Sequence, residues 1–336
     1  MLGKKVLLIA LPGYSNGMIK QMQELGAEVD FINDKPNEGF ICKTFGRLQL
    51  KAYQRVINKY YFDKIQKLSG KTYDYILVIR GEYTTIGALE LLIKRFPKAK
   101  RILYMWDGLH KRNTFGIEKK WKYYNKVFTF DRIDYLENKD KIQFLPLYYY
   151  DEYIPKWDYK KDKDNFRYDV SFIGTGHADR VKIVKSVMEQ CKLQGLKTFC
   201  YIYMPHPLIF LFNKLTNKDF KNVRKQDIHF TMIPFEKLYK IYGKSRCILD
   251  VENPGQHGLT MRSIETLGLK KKFITTNQDI VNYDFYNSNN VLVIERNNPQ
   301  IDIKFFTIPY EALDDKKYEK YSLSNWIREL LRESSV

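Results

Sequence analysis

No stretch of this 336-residue sequence approaches the roughly 18 uninterrupted apolar residues that a membrane-spanning helix needs. The most lipophilic run, Leu208 to Phe212, is far too short. The opening residues MLGKKVLLIALPGYSNG set two lysines before an apolar stretch, as a secretion signal does, but they carry no small-residue cleavage site. They read as the first strand of a fold. Cysteine is scarce: Cys42, Cys191, Cys200 and Cys247 lack the paired spacing of a disulfide framework or a zinc site, which points to free buried thiols in a reducing cytoplasm. The one Asp-x-Asp spacing singled out, Asp162 and Asp164, falls in a lysine-rich segment and not in a metal-binding context, so no essential metal is expected. Acidic residues are in deficit. With 57 Lys and Arg against 39 Asp and Glu, the formal charge is +18, which favours a polyanionic partner: nucleic acid, an anionic membrane surface or a phosphorylated substrate.

Apolar residues make up 44% of the chain, enough for two buried cores of about 150 residues each. Strand-like runs Lys4 to Ala10, Glu28 to Ile32, Asp74 to Ile79, Arg101 to Met105, Lys126 to Phe130 and Ile142 to Leu145 alternate with helical patterns at Met18 to Leu25, Lys43 to Leu68 and Thr85 to Arg95. Such alternation implies a mostly parallel sheet covered on both faces. The periodicity lapses in WDYKKDKDNFR and restarts at Asp169 to Ile173, with further strands near residues 197–203, 228–233, 246–251, 272–275 and 291–295. Residues 205–224 read as irregular, apolar and basic, and Ser324 to Arg332 as a closing helix. The expected organisation is an α/β protein of two Rossmann-like domains: residues 1–150, a linker at 151–168, and residues 169–336 including the terminal helix. Ligands of such sheets sit at the carboxyl ends of the strands, here across a cleft between the domains.

The segment from Cys247 to Asn277 carries the most chemistry. A strand ends at Val251, and a loop containing Pro254, Gly255, His257 and Gly258 leads through Leu259 to a helix starting near Thr260. Free N–H groups at that start make an anion site, and Arg262 could add a planar fork for phosphate. Glu265 could accept hydrogen bonds from a ribose diol. The plainer alternative is that Thr260 caps the helix while Arg262 and Glu265 form an ordinary pair one turn apart. In YDVSFIGTGHADR, a strand meets Gly174, Thr175 and Gly176 before a helix; Asp179 replaces the third glycine of a dinucleotide fingerprint. A diphosphate loop aided by His177 and Arg180 and a purely conformational turn are both open readings.

These residues, with YDYILVIRG, ILYMWDG, KVFTFDRIDYLE, FLPLYY, DVSFIGT and QHGLTMRSIETLGLKKKFITTN, give the chain a resemblance over most of its length to GT-B glycosyltransferases. Within that class it resembles the bacterial capsule and lipopolysaccharide enzymes related to the CgeB-like spore-maturation group. The resemblance implies a nucleotide-sugar in the C-terminal domain, as co-substrate and with no cofactor. The diphosphate would lie at Gly258 to Arg262, the ribose at Glu265, and the Gly174 to Gly176 loop would face the donor. Many retaining members pair two glutamates here, with seven residues between them; neither His257 nor Gly258, at and next to that spacing before Glu265, is a glutamate, so the first is missing and the anomeric outcome stays open. An inverting transfer needs a base, expected on a loop after an N-terminal strand. Asp107 is the first choice, followed by His110 and Glu82, with Asp131 fourth.

Two segments could rest on an anionic membrane: the helix with Lys43, Arg47, Lys51, Arg55 and Lys59 at every fourth residue, and Pro205 to Lys225. Either would suit a lipid-linked or glycan acceptor at the inner face of the plasma membrane. In the plainer reading both apolar sets are core. A nucleic-acid binder, another nucleotide-sugar enzyme such as an epimerase or polyol-phosphate transferase, and a silent partner subunit are the rivals. No nucleic-acid reader motif is present, so a nucleic-acid partner is not expected.

Overall fold

The computed structural model describes residues 1–36, 51–110, 116–151 and 165–332. Cys42, Lys43, Arg47, Asp162, Asp164 and most of the expected linker lie outside them. The chain divides into two compact units, Met1–Pro146 with Leu323–Val336, and Leu147–Ser322.

The first unit holds a six-stranded sheet in the order β2-β1-β3-β4-β5-β6. Its strands are β1 (Lys5–Ala10), β2 (Glu28–Asn33), β3 (Tyr75–Ile79), β4 (Lys100–Met105), β5 (Lys126–Thr129) and β6 (Gln143–Phe144), every pairing parallel. Val6 to Ala10 and all of β3 are buried, the continuous apolar signature of strands covered on both faces. Covering them are α1 (Pro12–Glu24), α2 (Lys51–Gln66), α3 (Ile86–Arg95) and α4 (Arg132–Glu137). Pro12 begins α1 in the first turn, where its missing N–H costs nothing. Thr85 caps α3 by accepting from the Ala88 N–H at 3.1 Å. On α2, Ile57, Tyr61 and Ile65 point into the core while Arg55, Lys59 and Lys64 are exposed, so these three apolar residues of the described basic helix are core, whereas Val56 and Phe62 are exposed.

The second unit holds β7 (Tyr168–Thr175), β8 (Thr198–Tyr203), β9 (Ile228–His229), β10 (Ser245–Asp250), β11 (Lys272–Thr275) and β12 (Val291–Val293). Their order is β12-β11-β10-β7-β8-β9, again all parallel. This is the doubly wound Rossmann order, and it reverses direction between β7 and β10. The helices are α5 (Arg180–Leu193), α6 (Pro207–Thr216), α7 (Phe235–Gly243), α8 (Met261–Gly268), α9 (Lys304–Thr307) and α10 (Asp315–Glu319). Residues 205–224, expected to be irregular, contain α6. Cys191, Cys200 and Cys247 are free, and burial raises the thiol pKa of each.

The last helix, α11 (Leu323–Leu331), groups with the first unit, whereas the sequence pattern placed it with the second half. Trp326 is buried edge-on against Tyr104 of β4, with ring centres 4.7 Å apart, and Lys126 Nζ donates to the Arg332 carbonyl at 2.6 Å. Among the described residues no helix is long and apolar enough to cross a membrane.

Candidate functional site

The order of the sheet reverses between β7 and β10, the place where ligands of such sheets bind, and both glycine-bearing segments meet at the carboxyl ends of these strands. Gly174 and Thr175 belong to β7 itself; the turn begins at Gly176. Each glycine is dictated by close approach. A Cβ on Gly174 would sit 2.7 Å from Arg262 Nη2, and one on Gly176 would sit 2.7 Å from Ile202 Cγ2.

The end of β10 is organised by Asp250, which is fully buried. Its Oδ2 accepts from Thr260 Oγ1 and Ser263 Oγ, both at 2.7 Å, and its Oδ1 accepts from Arg262 Nη1 at 2.8 Å. One strand-end carboxylate thus ties down the first turn of α8. Thr260 also caps α8 by accepting from the Ser263 N–H at 3.3 Å. The remaining guanidinium nitrogens of Arg262 donate to Tyr242 Oη at 3.2 Å and to the Ile173 carbonyl at 2.7 Å, over the ring of Phe172. Despite burial, which opposes charge, Tyr242 and Asp250 raise its pKa. Arg262 is therefore a brace that locks α8 to β7, each of its three guanidinium nitrogens making one hydrogen bond.

Arg180, in the first turn of α5, is different. It is only 8% exposed and makes one hydrogen bond, from Nη1 to the Thr175 carbonyl at 3.2 Å, while its buried Nε has no partner. Burial, with Arg262 and Arg296 nearby, lowers its pKa to about 10, so it stays charged at neutral pH. A buried unsatisfied donor on a cation costs roughly 1–3 kcal/mol until an acceptor arrives. Burial first, then the positive neighbours, lowers the pKa of His177 to about 4, so its imidazole is neutral at pH 7.

Arg296, in the loop after β12, draws four strand ends together. It forks onto Asp179 at 2.8 and 2.7 Å and reaches Glu252 Oε1 at 2.7 Å. Glu252 in turn accepts from Thr276 Oγ1 at 2.5 Å. The loop before α8 is held by Asn277 Nδ2 donating to the His257 carbonyl at 2.9 Å.

In the first unit the strand ends carry a second charged group. Arg80, which adopts the left-handed region with φ 74°, places Nη2 2.9 Å from Glu82 Oε2 and Nε 3.0 Å from Asp107 Oδ2. Holding a non-glycine residue there costs of order 1–3 kcal/mol, a strain found most often at functional sites. Burial raises the pKa of Glu82, opposed by Arg80 and reinforced by Asp107 and Asp34. Lys120 Nζ donates to the Gly81 and Glu82 carbonyls at 2.8 and 3.1 Å and so fixes this turn. His110 stands apart, its Nε2 3.8 Å from Asp134 and 3.9 Å from Glu137. Burial and Asp131 push Asp134 up to about 6. Together His110, Asp134 and Glu137 offer one nitrogen and two oxygens within 4.8 Å of one another, a donor set that divalent transition ions accept.

No protein-family model matches the chain. A search of curated proteins finds no match. Solved structures do match. A glycosyltransferase from Rickettsia africae ESF-5 superposes with TM-score 0.57 at 15% identity, over 99% of this chain and all of that one. HepE from Anabaena, solved with UDP and glucose, gives TM-score 0.62 at 8% identity over 97% of this chain and 98% of its own. A UDP-GlcNAc 2-epimerase from Methanocaldococcus jannaschii gives 0.52 at 12% identity, over 98% and 99%. The fold is of the GT-B type.

On this GT-B framework the residues expected to hold the donor lie at the end of β7 and on the segments that follow β7 and β10, with unequal availability. Gly174, Thr175, Gly176, His177 and Arg180 lie on the β7 side. His257, Gly258, Thr260 and Glu265 lie on the loop and helix after β10. The Leu259 side chain is buried in the core, which leaves only its backbone for a ligand. Of the base candidates, Asp107 and Glu82 meet at Arg80, and His110 does not join them. Asp250, Glu252 and Arg296 were missed. A signal existed for Asp250, since a carboxylate closing an apolar strand ten residues before a Thr-x-Arg-Ser helix start is unusual for a core position. Arg296 had none, because its partners lie 44 and 117 residues away.

Proposed function

We propose that this chain is a metal-independent glycosyltransferase of bacterial surface-polysaccharide synthesis. It moves a sugar from a nucleotide-sugar bound by the second unit to a hydroxyl of a glycan or lipid-linked acceptor. The observation that carries this reading is the buried, unpartnered Nε of Arg180 at a helix start, on the reversal point of a Rossmann sheet. A diphosphate supplies acceptors for that nitrogen and for the free N–H groups of α5 and α8, and the same donors stabilise the charge of the departing nucleotide. Half-buried Glu265, one turn into α8, takes the ribose diol.

The test is a thermal-shift panel of UDP, GDP, CMP, TDP and their sugars, with and without EDTA. One nucleotide should raise Tm, by linkage worth about 2.7 kcal/mol at a hundredfold excess over Kd. Glu265→Ala should lose most of that shift, and EDTA should leave it intact. No shift with any nucleotide would overturn the donor site and leave the silent-subunit reading. The epimerase reading draws on the shared fold with the Methanocaldococcus enzyme. It requires conversion of the sugar with no acceptor present, which this proposal forbids.

The base comes from the pair bridged by Arg80. Burial makes Glu82 a better proton acceptor than an ordinary carboxylate, and Asp107 tunes it. A base works only when deprotonated, so kcat should fall as pH drops through the raised Glu82 pKa. Glu82→Gln should cost about 10²–10⁴ in kcat with nucleotide binding intact. Asp107→Asn removes a negative neighbour and should move the acid limb to lower pH. Abolished transfer in Asp107→Asn with near-normal Glu82→Gln would make Asp107 the base instead.

A further inference from the structure

Helix α6 of the second unit has a broad apolar face turned outward. Leu208, Leu211, Phe212 and Leu215 fall at i, i+3, i+4 and i+7, the spacing of one helix face, which in a surface helix ordinarily meets the core. Here they are 66%, 53%, 64% and 78% exposed, and Ile209 beside them is 44% exposed. The opposite side is narrow. Phe210 is buried edge-on to Phe230, and Lys214 Nζ donates to the Val223 carbonyl at 2.7 Å, which ties the helix to the segment behind it. His206 Nδ1 caps the start by accepting from the Leu208 N–H at 3.1 Å, and Pro207 follows in the first turn. The helix is therefore well formed by itself, and its outward stripe is not a product of fraying.

The charge around this stripe has one sign. No acidic residue occurs in α6, and Lys214, Lys218, Lys221, Arg224 and Lys225 are exposed along and just after it. The two carboxylates of this stretch are engaged: Asp219 lies 3.8 Å from Lys182, and Asp227 lies 2.8 Å from Lys185 and 3.3 Å from Arg224, which leaves the lysines as the outward cations. An apolar stripe flanked by cations matches a surface that is hydrocarbon within and anionic at its rim. Nucleic acid would meet the cations but leave five large apolar side chains without a partner.

We infer that α6 docks the second unit onto an anionic lipid bilayer. The helix lies in the plane of the interface, with Leu208, Leu211, Phe212 and Leu215 among the upper acyl chains and the neighbouring lysines on lipid phosphates. This goes beyond the transfer reaction and does not depend on it.

The experiment is co-sedimentation of the full chain with phosphatidylcholine vesicles, with and without phosphatidylglycerol, comparing the unaltered protein with Phe212→Ser/Leu215→Ser and with Lys218→Glu/Lys221→Glu. Both pairs are on the surface, so melting temperature should be unchanged, and an unchanged melt in each variant verifies the fold. The unaltered protein should bind the anionic vesicles and release with salt. Each double variant should lose about tenfold or more in affinity. Failure to bind anionic vesicles, or equal binding by the serine variant, would overturn the assignment. So would self-association of the unaltered protein that the serine variant abolishes, because the stripe would then serve a second copy of this chain.

Discussion

Replacing Asp250 by alanine is expected to lower the unfolding free energy by roughly 3–5 kcal/mol, the usual effect of removing one partner of a buried ion pair. Three side chains lose their acceptor together, because Thr260, Arg262 and Ser263 all donate to this carboxylate. Arg262 would be left as a buried cation with only the Tyr242 hydroxyl and the Ile173 carbonyl. Urea denaturation of Asp250→Ala, Arg262→Met and the double variant measures the coupling. The double variant should be more stable than the sum of the single losses implies, by of order 1–3 kcal/mol, since it leaves no orphaned charge. Additive losses, or a cost under about 1 kcal/mol for Asp250→Ala, would mean that the first turn of α8 does not depend on this residue.

Arg180→Met should separate stability from binding. The substitution removes a buried guanidinium whose Nε is unpartnered and keeps a side chain of similar length. Stability should be unchanged or higher by up to roughly 1–3 kcal/mol. Nucleotide affinity should fall by roughly 10–150-fold, the equivalent of one charge-assisted hydrogen bond of about 1.5–3 kcal/mol. Lysine should not restore it, because the planar fork is lost. Isothermal titration of the nucleotide selected by the thermal-shift panel, beside melts of the free proteins, reads both quantities. A destabilised Arg180→Met that binds normally would show the arginine to be structural, and the diphosphate would have to lie elsewhere.

The strands were legible because parallel strands covered on both faces are written as unbroken apolar runs, as in Val6 to Ala10 and Tyr75 to Ile79. α3 was legible through its Thr85 cap and α8 through Thr260. α6 was not, because Leu208 to Phe212 is apolar nearly all round and a short run of that kind fits strand, helix or loop equally. The Gly174 to Gly176 segment was open between a phosphate loop and a conformational turn, and its first two residues continue β7. Gly174 is needed there for the approach of Arg262. The role of Arg262 was open in the sequence because Asp250, 12 residues earlier, folds back on it only in three dimensions. Asp107 and Glu82 were found from their place after strands, and a pairing of Glu82 with Arg80 was within reach two residues away; the link from Arg80 to Asp107 joins the ends of two different strands, which no local pattern shows.

The return of α11 to the first unit makes the second unit, in topological terms, an insertion between Pro146 and Leu323. The two are tied by two peptide crossings, so a single backbone cut cannot part them. A recombination that exchanged the second unit would have to cut the gene on both sides and leave Trp326 in place against Tyr104. The second unit can then be exchanged as a cassette while the sheet of the first unit keeps both of its chain ends.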